Sequence, residues 1–452
     1  SVPEQGRRSG PHRGVSQSMG FRRPAGHRRR LGRAFHRLWI GFALTSSGDG
    51  LAYGAVPLMA VVVNPHPFAV SSVVAADSLP WLLMALPAGA FADRFERGPV
   101  AAISNALRAL VILLAALLIF SDRMTLVLLL LIVLFNASGR AFYFSSYQAI
   151  VPRIIHTRDI EHANGILTAT EAGIDNLAGP VVGTSLFAVG KSLPFFADAV
   201  ALLLSCPPFT KFRTRASRSD ESSQSMWEGV RFLYKDNRLR ILITMVACLS
   251  LLQGMEFGVL VLLATTKWGV SEWAYGFFLA AGAAGSLIGS ILSDGRVRRF
   301  GSGRTLIGAA IVSGLGYLGM AAANSWTLAA PAYVVVGIAV GTGAVVANSL
   351  RQRVTPDEMM GRVGSAARGI VWGAGPVGAL AAGIVATFAG LRAPLVLAGV
   401  LQCLVALLLA RPLLRNIQEK RPEGGRAQGR RRHGGEGSTP APPPPSGIME
   451  IP

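Results

Sequence analysis

The sequence predicts an all-α membrane protein, with twelve transmembrane helices arranged as two pseudo-symmetric six-helix bundles. Three observations carry that expectation. The chain is 51% hydrophobic and only 15% charged over 452 residues, a balance foreign to a water-soluble fold. Twelve apolar runs follow one another, each close to the roughly 20 residues a helix needs to cross hydrocarbon. Features of the first six runs return in order among the last six: Asp93 and Asp294, Gly179-Pro180 and Gly375-Pro376, "IVPRIIHTRDIEHANG" and "RVTPDEMMGRVG".

The runs begin near Leu38, Val70, Pro99, Met124, Ala163 and Ser192 in the first half. They begin near Leu239, Trp273, Gly303, Trp326, Val363 and Leu391 in the second. "LVILLAALLIF" and "TLVLLLLIVLF" in the third and fourth runs are too long and too uniformly apolar for strands. The expected division is a basic tail over 1–37, a first bundle over 38–210, a polar linker over 211–238, a second bundle over 239–411 and a basic, Pro-rich tail over 412–452. The tails have the composition of solvated, disordered polymer.

Runs one to seven each carry at least one residue that the bilayer makes costly. An ionisable side chain at a helix centre costs about 2.5 to 3.5 kcal/mol on insertion scales, so it is expected to face a cavity or a partner. Run one carries Asp49 between Gly48 and Gly50, about ten residues in and so about 15 Å deep at 1.5 Å per residue. Desolvation disfavours the ionised form at that depth, so Asp49 is a candidate proton carrier; the alternative is a structural partner for an arginine such as Arg108. Run two carries Asp77 and Trp81, run three Arg108, and run four Arg140 with Tyr143, Phe144 and Tyr147. Run five holds Glu171 and Asp175, four apart and so on one face of an α-helix. Two neighbouring carboxylates in a low dielectric resist ionising together. They form either a proton or cation site or a structural network with Arg140 or Arg108. Asp77, with Asp198 in run six and Glu256 in run seven, lies nearer the outer half, and the three are candidate outer-gate or substrate contacts. Trp81, Tyr143, Phe144, Tyr147 and Trp372 are candidates for a cation-tolerant apolar pocket, with helix packing as their alternative role.

Lysine and arginine set the orientation. With the amino terminus inside, the outer loops carry only Arg123, Lys191, Lys267 and Arg392, against a total of 44 basic residues. Both termini are therefore expected in the cytoplasm of a cell whose plasma membrane the chain spans. The net charge of +20 then lies along the inner face, where anionic lipid attracts it, rather than against nucleic acid. The first run follows a long basic stretch and is long enough to span, which does not resemble a cleavable signal; Met19 is an alternative start. Cys206, Cys248 and Cys403 have neither metal nor disulfide spacing.

Two motifs fail on context. "GLGYLG" at 314–319 fits G-x-G-x-x-G but lies inside an apolar helix with no strand before it. "SLFAVGKS" at 185–192 lacks the first glycine of a phosphate loop, and Lys191 falls outside the cell. No cofactor, metal or ATP site is expected, and no nucleophile with a base, so the chain is not expected to be an enzyme; an ion gradient is the energy source.

"GAFADRFERG" at 89–98 resembles the loop signature between the second and third helices of the major facilitator superfamily. Gly89, Asp93, Arg94 and Arg97 hold its positions, and Gly98 stands where a second basic residue is common. "IVPRIIHTRDIEHANG", the Gly-Pro of run five and "FFADAVALL" of run six are more similar to the macrolide-efflux and enterobactin-exporter branch than to sugar porters. The resemblance covers about 38–411. It implies the major facilitator fold, with a substrate site at the midplane between the bundles, as in transporters built from repeats. It also implies a latch, in which Gly89 permits close helix approach and Asp93, with Asp294 as its counterpart, meets a helix terminus or an arginine when the inner gate is closed. Arg94 and Arg97 alternatively serve only the positive-inside bias. Arg140 resembles, in role, the buried arginine of the family's fourth helix. The fifth-helix antiporter pattern is present in Gly179, Pro180 and Gly183, with Thr184 replacing its last glycine.

The expected function is secondary active transport by alternating access: proton-coupled efflux of a small amphipathic molecule such as a drug, antibiotic or siderophore. Asp49, Glu171 and Asp175 are the proton-coupling candidates and the protein is expected to be a monomer. Import of a small nutrient by proton symport, or a non-transporting sensor on the same scaffold, are the alternatives.

Overall fold

The computed structural model describes residues 31–212 and 222–418, without the side chains of 82, 84–94, 157, 222–227 and 416–418. Among the described residues every regular element is helical, as hydrocarbon requires of a chain that must satisfy its backbone groups internally. The first half contains α1 (Arg33–Val63), α2 (Pro67–Arg94), α3 (Arg97–Phe120), α4 (Leu126–Ile154), α5 (Ile160–Thr170), α6 (Gly179–Val189) and α7 (Leu193–Thr210). Then come α8 (Ser222–Lys235), α9 (Asn237–Leu262), α10 (Glu272–Phe300), α11 (Ser302–Ala322), α12 (Trp326–Val354), α13 (Met360–Ala389) and α14 (Ala393–Gln418). Among the described residues eleven helical stretches are long and apolar enough to cross a membrane, α5 and α6 forming part of one of them. The chain is a multi-pass integral membrane protein. The expected second run is the 28-residue helix α2, which is not among those eleven.

The boundaries differ from expectation at both ends, α1 starting at Arg33 and α14 continuing to Gln418. Helix α8, inside the expected linker, is a further difference. The fifth run is not a plain α-helix: Glu171–Ala178, between α5 and α6, is a π-helix. Pro180 explains the widening, since it has no N–H to return to the carbonyl four residues back and its ring crowds that carbonyl. Helix starts are fixed locally: the Asp236 carboxylate accepts from the N–H groups of Arg238 (2.8 Å) and Leu239 (3.1 Å). Gly301, at φ +82°, alone separates α10 from α11, a backbone conformation that only glycine adopts readily.

In the first half α1 packs on α6 and α7, and α3 on α4 and α7; in the second, α9 packs on α13 and α14, α10 on α12, and α11 on α12 and α14. The closest approaches use glycine. A Cβ at Gly50 of α1 would come 2.9 Å from the Cα of Gly179, and one at Gly183 would strike the Leu51 carbonyl. Gly179, Pro180 and Gly183 thus pack against α1. Gly98 has a comparable reason: a side chain there would strike the carbonyls of Phe209 and Phe212 at the end of α7. Its N–H donates to Phe212 at 3.1 Å. A second basic residue has no room.

The two halves meet along α2 and α13, α6 and α10, and α2 and α9. Near the 64–66, 190–192 and 390–392 loops, a single apolar core joins Met59, Phe187 and Phe195 of the first half to Val259, Leu260 and Trp268 of the second. Ser71 Oγ of α2 donates to the Gly258 carbonyl at 2.8 Å, and Thr184 Oγ1 of α6 to the Trp273 carbonyl at 3.2 Å. At the opposite end the cores are separate. One holds Phe35, Leu38, Phe42 and Phe209, another Leu242, Met245 and Leu413. A third, with Leu233, Leu239 and Val363, seats α8 against α9 and α13.

Candidate functional site

Between the halves lies a cavity of about 540 Å³. Its wall contains Asp49, Asp77, Trp81, Arg140, Tyr143 and Tyr147 from the first half's α1, α2 and α4. Glu171 and Asp175 of the π-helical segment and Trp372 of α13 complete the set of predicted residues on it. The π turn therefore leaves Glu171 and Asp175 on the same cavity, although they do not share an α-helical face.

A chain of polar contacts runs through the first half into this cavity. Ser205 and Thr45 accept from Asn105 Nδ2 at 2.8 and 2.9 Å, which orients the Asn105 amide oxygen toward Arg108. Arg108 is 1% exposed; its Nη1 donates to Asn105 at 3.2 Å and its Nε to Asn136 Oδ1 at 2.9 Å. Its Nη2 holds Asp49 Oδ1. The arginine stem fits because residue 139 is glycine; a Cβ there would come 2.6 Å from Arg108 Cγ. The other Asp49 oxygen faces Arg140 Nε at 3.4 Å, and Arg140 Nη2 reaches Asp175 Oδ2 at 3.2 Å. Arg140 is thus shared by carboxylates on two elements. Two charges leaving water together need this density of partners to offset desolvation.

The aromatic candidates form a continuous wall. Trp81 of α2 meets Trp372 of α13 edge to face at 5.0 Å, across the two halves, and Phe144 at 5.3 Å. Tyr143 and Tyr147 stack at 5.4 Å.

Other expected positions fall elsewhere. Asp198 does not line the cavity: it is 1% exposed, sealed between α7 and α1, where a Cβ at Gly48 would strike its carboxylate. Helix α7 turns that face toward α1 and α3 rather than toward the second half, so the Asp198 side chain does not face the cavity. Glu256 lines an adjoining cavity of about 290 Å³. Asp294 is exposed and, among the described residues, pairs along its own helix with Arg298 at 3.2 Å. Arg97 Nη1 donates to the Ala149 carbonyl at 2.8 Å, tying α3 to α4. The side chains of Gly89, Asp93 and Arg94 lie outside the described residues. Sequence reasoning missed Asn105, Asn136 and Gly139. Their signal was positional: Asn105 sits one turn before Arg108 and Asn136 one turn before Arg140, polar residues on otherwise apolar helices. Among the described residues no cluster of His, Cys, Asp and Glu could hold a metal ion.

Residues 31–426 match the model of the transmembrane secretion effector family. The chain belongs to that family and is a major facilitator superfamily transporter. It is 26% identical over 380 residues to the multidrug efflux pump Tap of Mycolicibacterium fortuitum, covering 79% of this chain and 92% of that one. It is 25% identical over 392 residues to the uncharacterised transporter YfiS of Bacillus subtilis strain 168, covering 81% and 89%. In fold this transporter is similar to a bacterial homologue of the iron transporter ferroportin in an inward-facing state, with a TM-score of 0.68 at 17% identity, covering 84% of this chain and all (100%) of the other. It is also similar to a bacterial homologue of the lysosomal transporter Spinster, inward-facing and unoccupied, with a TM-score of 0.63 at 15% identity, covering 86% and 99%.

Proposed function

We propose that the protein is a proton-coupled exporter of a small amphipathic molecule, working by alternating access in the plasma membrane with both termini in the cytoplasm. In this reading α2 is the twelfth span and the halves are two six-helix bundles that rock about the central cavity. The observation that carries it is the sharing of Arg140 between Asp49 and Asp175. Protonation of either acid removes one of the two charges that hold Arg140 and moves that side chain toward the other, so proton occupancy is read out as a rearrangement inside the cavity wall. Arg108, fixed by Asn105 and Asn136, keeps Asp49 in place while this happens. Glu171, beside them on the wall, assists the exchange.

Likeness to a multidrug efflux pump over most of the chain favours export, and an aromatic wall beside acidic groups suits an amphipathic cargo. A single proton crossing 100 mV yields about 2.3 kcal/mol, enough for a useful gradient. The test uses energised everted vesicles with a panel of amphipathic drugs. Wild-type protein is expected to release protons from the vesicle lumen when its cargo is added, and Asp49→Asn is expected to abolish that release. Coupling that survives in Asp49→Asn removes Asp49 from the mechanism.

A further inference from the structure

Glu256 on α9 stands apart from the network just described. It is 1% exposed and lines the cavity of about 290 Å³ between α9, α10, α12 and the π-helical segment. The Tyr317 hydroxyl donates to its carboxyl, yet its Oε1 has no hydrogen-bond partner. No arginine or lysine among the described residues forms an ion pair with it. The titratable groups that face it are tyrosines: Tyr53 from α1, Tyr275 from α10, Tyr317 from α11 and Tyr333 from α12. Tyr53 and Tyr333 share its cavity wall, and Tyr333 is held by stacking on Phe278 at 4.9 Å.

An acid in that position is poorly explained as structure. A buried carboxylate without a counter-charge is costly, and an apolar residue of the same size would pack without the penalty. Something that arrives must complete it. A divalent metal is a poor fit, since hard cations want six or more oxygen ligands and the wall offers one carboxylate with only neutral side chains beside it, Asn176, Gln253 and Ser286 among them. A single buried carboxylate beside the rings of Tyr53, Phe257 and Tyr333 is instead suited to an organic ammonium or phosphonium ion, which needs one counter-charge and apolar or aromatic contact rather than a full shell of oxygens.

We infer that Glu256, with Tyr53 and Tyr333, forms a second site in this transporter, one that takes the charged centre of an amphipathic organic cation in exchange for a proton. The site rests on the transporter reading and names its cargo class. The exchange balances: a neutral carboxylic acid and a cation in solution become a carboxylate–cation pair, and one proton leaves to the aqueous mouth. The wall shared with the main cavity at Tyr53, Gln253, Phe257 and Leu279 gives the cation a path between the two.

The experiment is equilibrium binding to the purified full-length protein in detergent, by calorimetry in buffers of differing ionisation enthalpy so that proton release is counted. Tetraphenylphosphonium is the probe, and triphenylphosphine oxide its neutral analogue. Wild-type protein is expected to bind the cation and release a proton per cation bound. Glu256→Gln is expected to bind it about thirtyfold more weakly, the least that removing one partner of a buried charge pair costs, with no proton released and the neutral analogue unaffected. Unchanged cation affinity or unchanged proton release in Glu256→Gln overturns the site, as does equal loss of the neutral analogue. Tighter binding of Mn²⁺ than of the phosphonium ion also overturns it. Should Glu256→Gln not fold, Glu256→Asp keeps the charge and must keep the proton release. Binding in detergent needs no gradient. Loss of coupling in the vesicle assay with intact phosphonium binding therefore retires the exporter and leaves this site standing, and the reverse result does the opposite.

Discussion

Arg140 on α4 holds Asp175 at 3.2 Å across to the π-helical segment, while its Nε faces Asp49 on α1 at 3.4 Å. A guanidinium can serve two carboxylates at once because its donors are fixed in a plane; an ammonium presents a single point. Arg140→Lys is therefore expected to fold and reach the membrane but to lose most proton-coupled flux, measured in everted vesicles. Full coupling with lysine would show that the charge alone suffices.

Arg108 lies behind the cavity wall and is the more structural of the two. Arg108→Ala leaves Asp49 with Arg140 alone, and breaking a buried pair costs about 3–5 kcal/mol. The expected outcome is loss of folded protein in a thermal-stability assay in detergent. Asn136→Ala removes one acceptor only and is expected to cost about 1–3 kcal/mol, read as a lower melting temperature with the fold retained.

The seal between the halves can be tested by substitution. A Cβ at Gly383 would stand 2.8 Å from Ser71 Cβ and 2.9 Å from the Phe68 Cα, closer than side chains pack. Gly383→Val is therefore expected to wedge α13 away from α2 and to lower the melting temperature of the detergent-purified protein, through about 1–3 kcal/mol of overpacking. An unchanged melting temperature in Gly383→Val would contradict the packing of α2 on α13.

The Arg362–Glu228 contact, 2.6 Å and exposed, ties α8 to the start of α13. Exposed pairs contribute about 0–1 kcal/mol. Glu228→Gln is expected to leave the melting temperature within a few degrees of wild type, a result that separates this surface contact from the buried ones.

The helical class, the order of the runs and most of the cavity wall were legible in the sequence, because hydrocarbon imposes a long-range rule on composition and makes each buried charge conspicuous. Asp49, Arg140 and Asp175 were findable on that ground alone. Their pairing was legible only as one of two alternatives: the sequence let Asp49 meet Arg108, and Glu171 and Asp175 meet Arg140 or Arg108, and the structure gives Asp49 both arginines and Asp175 Arg140. The π-helix at Glu171–Ala178 followed from Pro180, a local signal read only as packing. Asp198 was misplaced because depth along a helix can be counted from its ends, whereas the face it turns to its neighbours depends on contacts with α1 that no local pattern encodes.

The contact between Gly383 and Ser71 has a genetic consequence. Every single-nucleotide change that alters a glycine codon to another amino acid adds a side chain, and at 383 that side chain would meet Ser71 and the Phe68 backbone. Lineages kept under selection for flux are therefore expected to tolerate only silent changes at that codon, which a deep mutational survey of α13 would reveal as a blank column beside permissive lipid-facing neighbours.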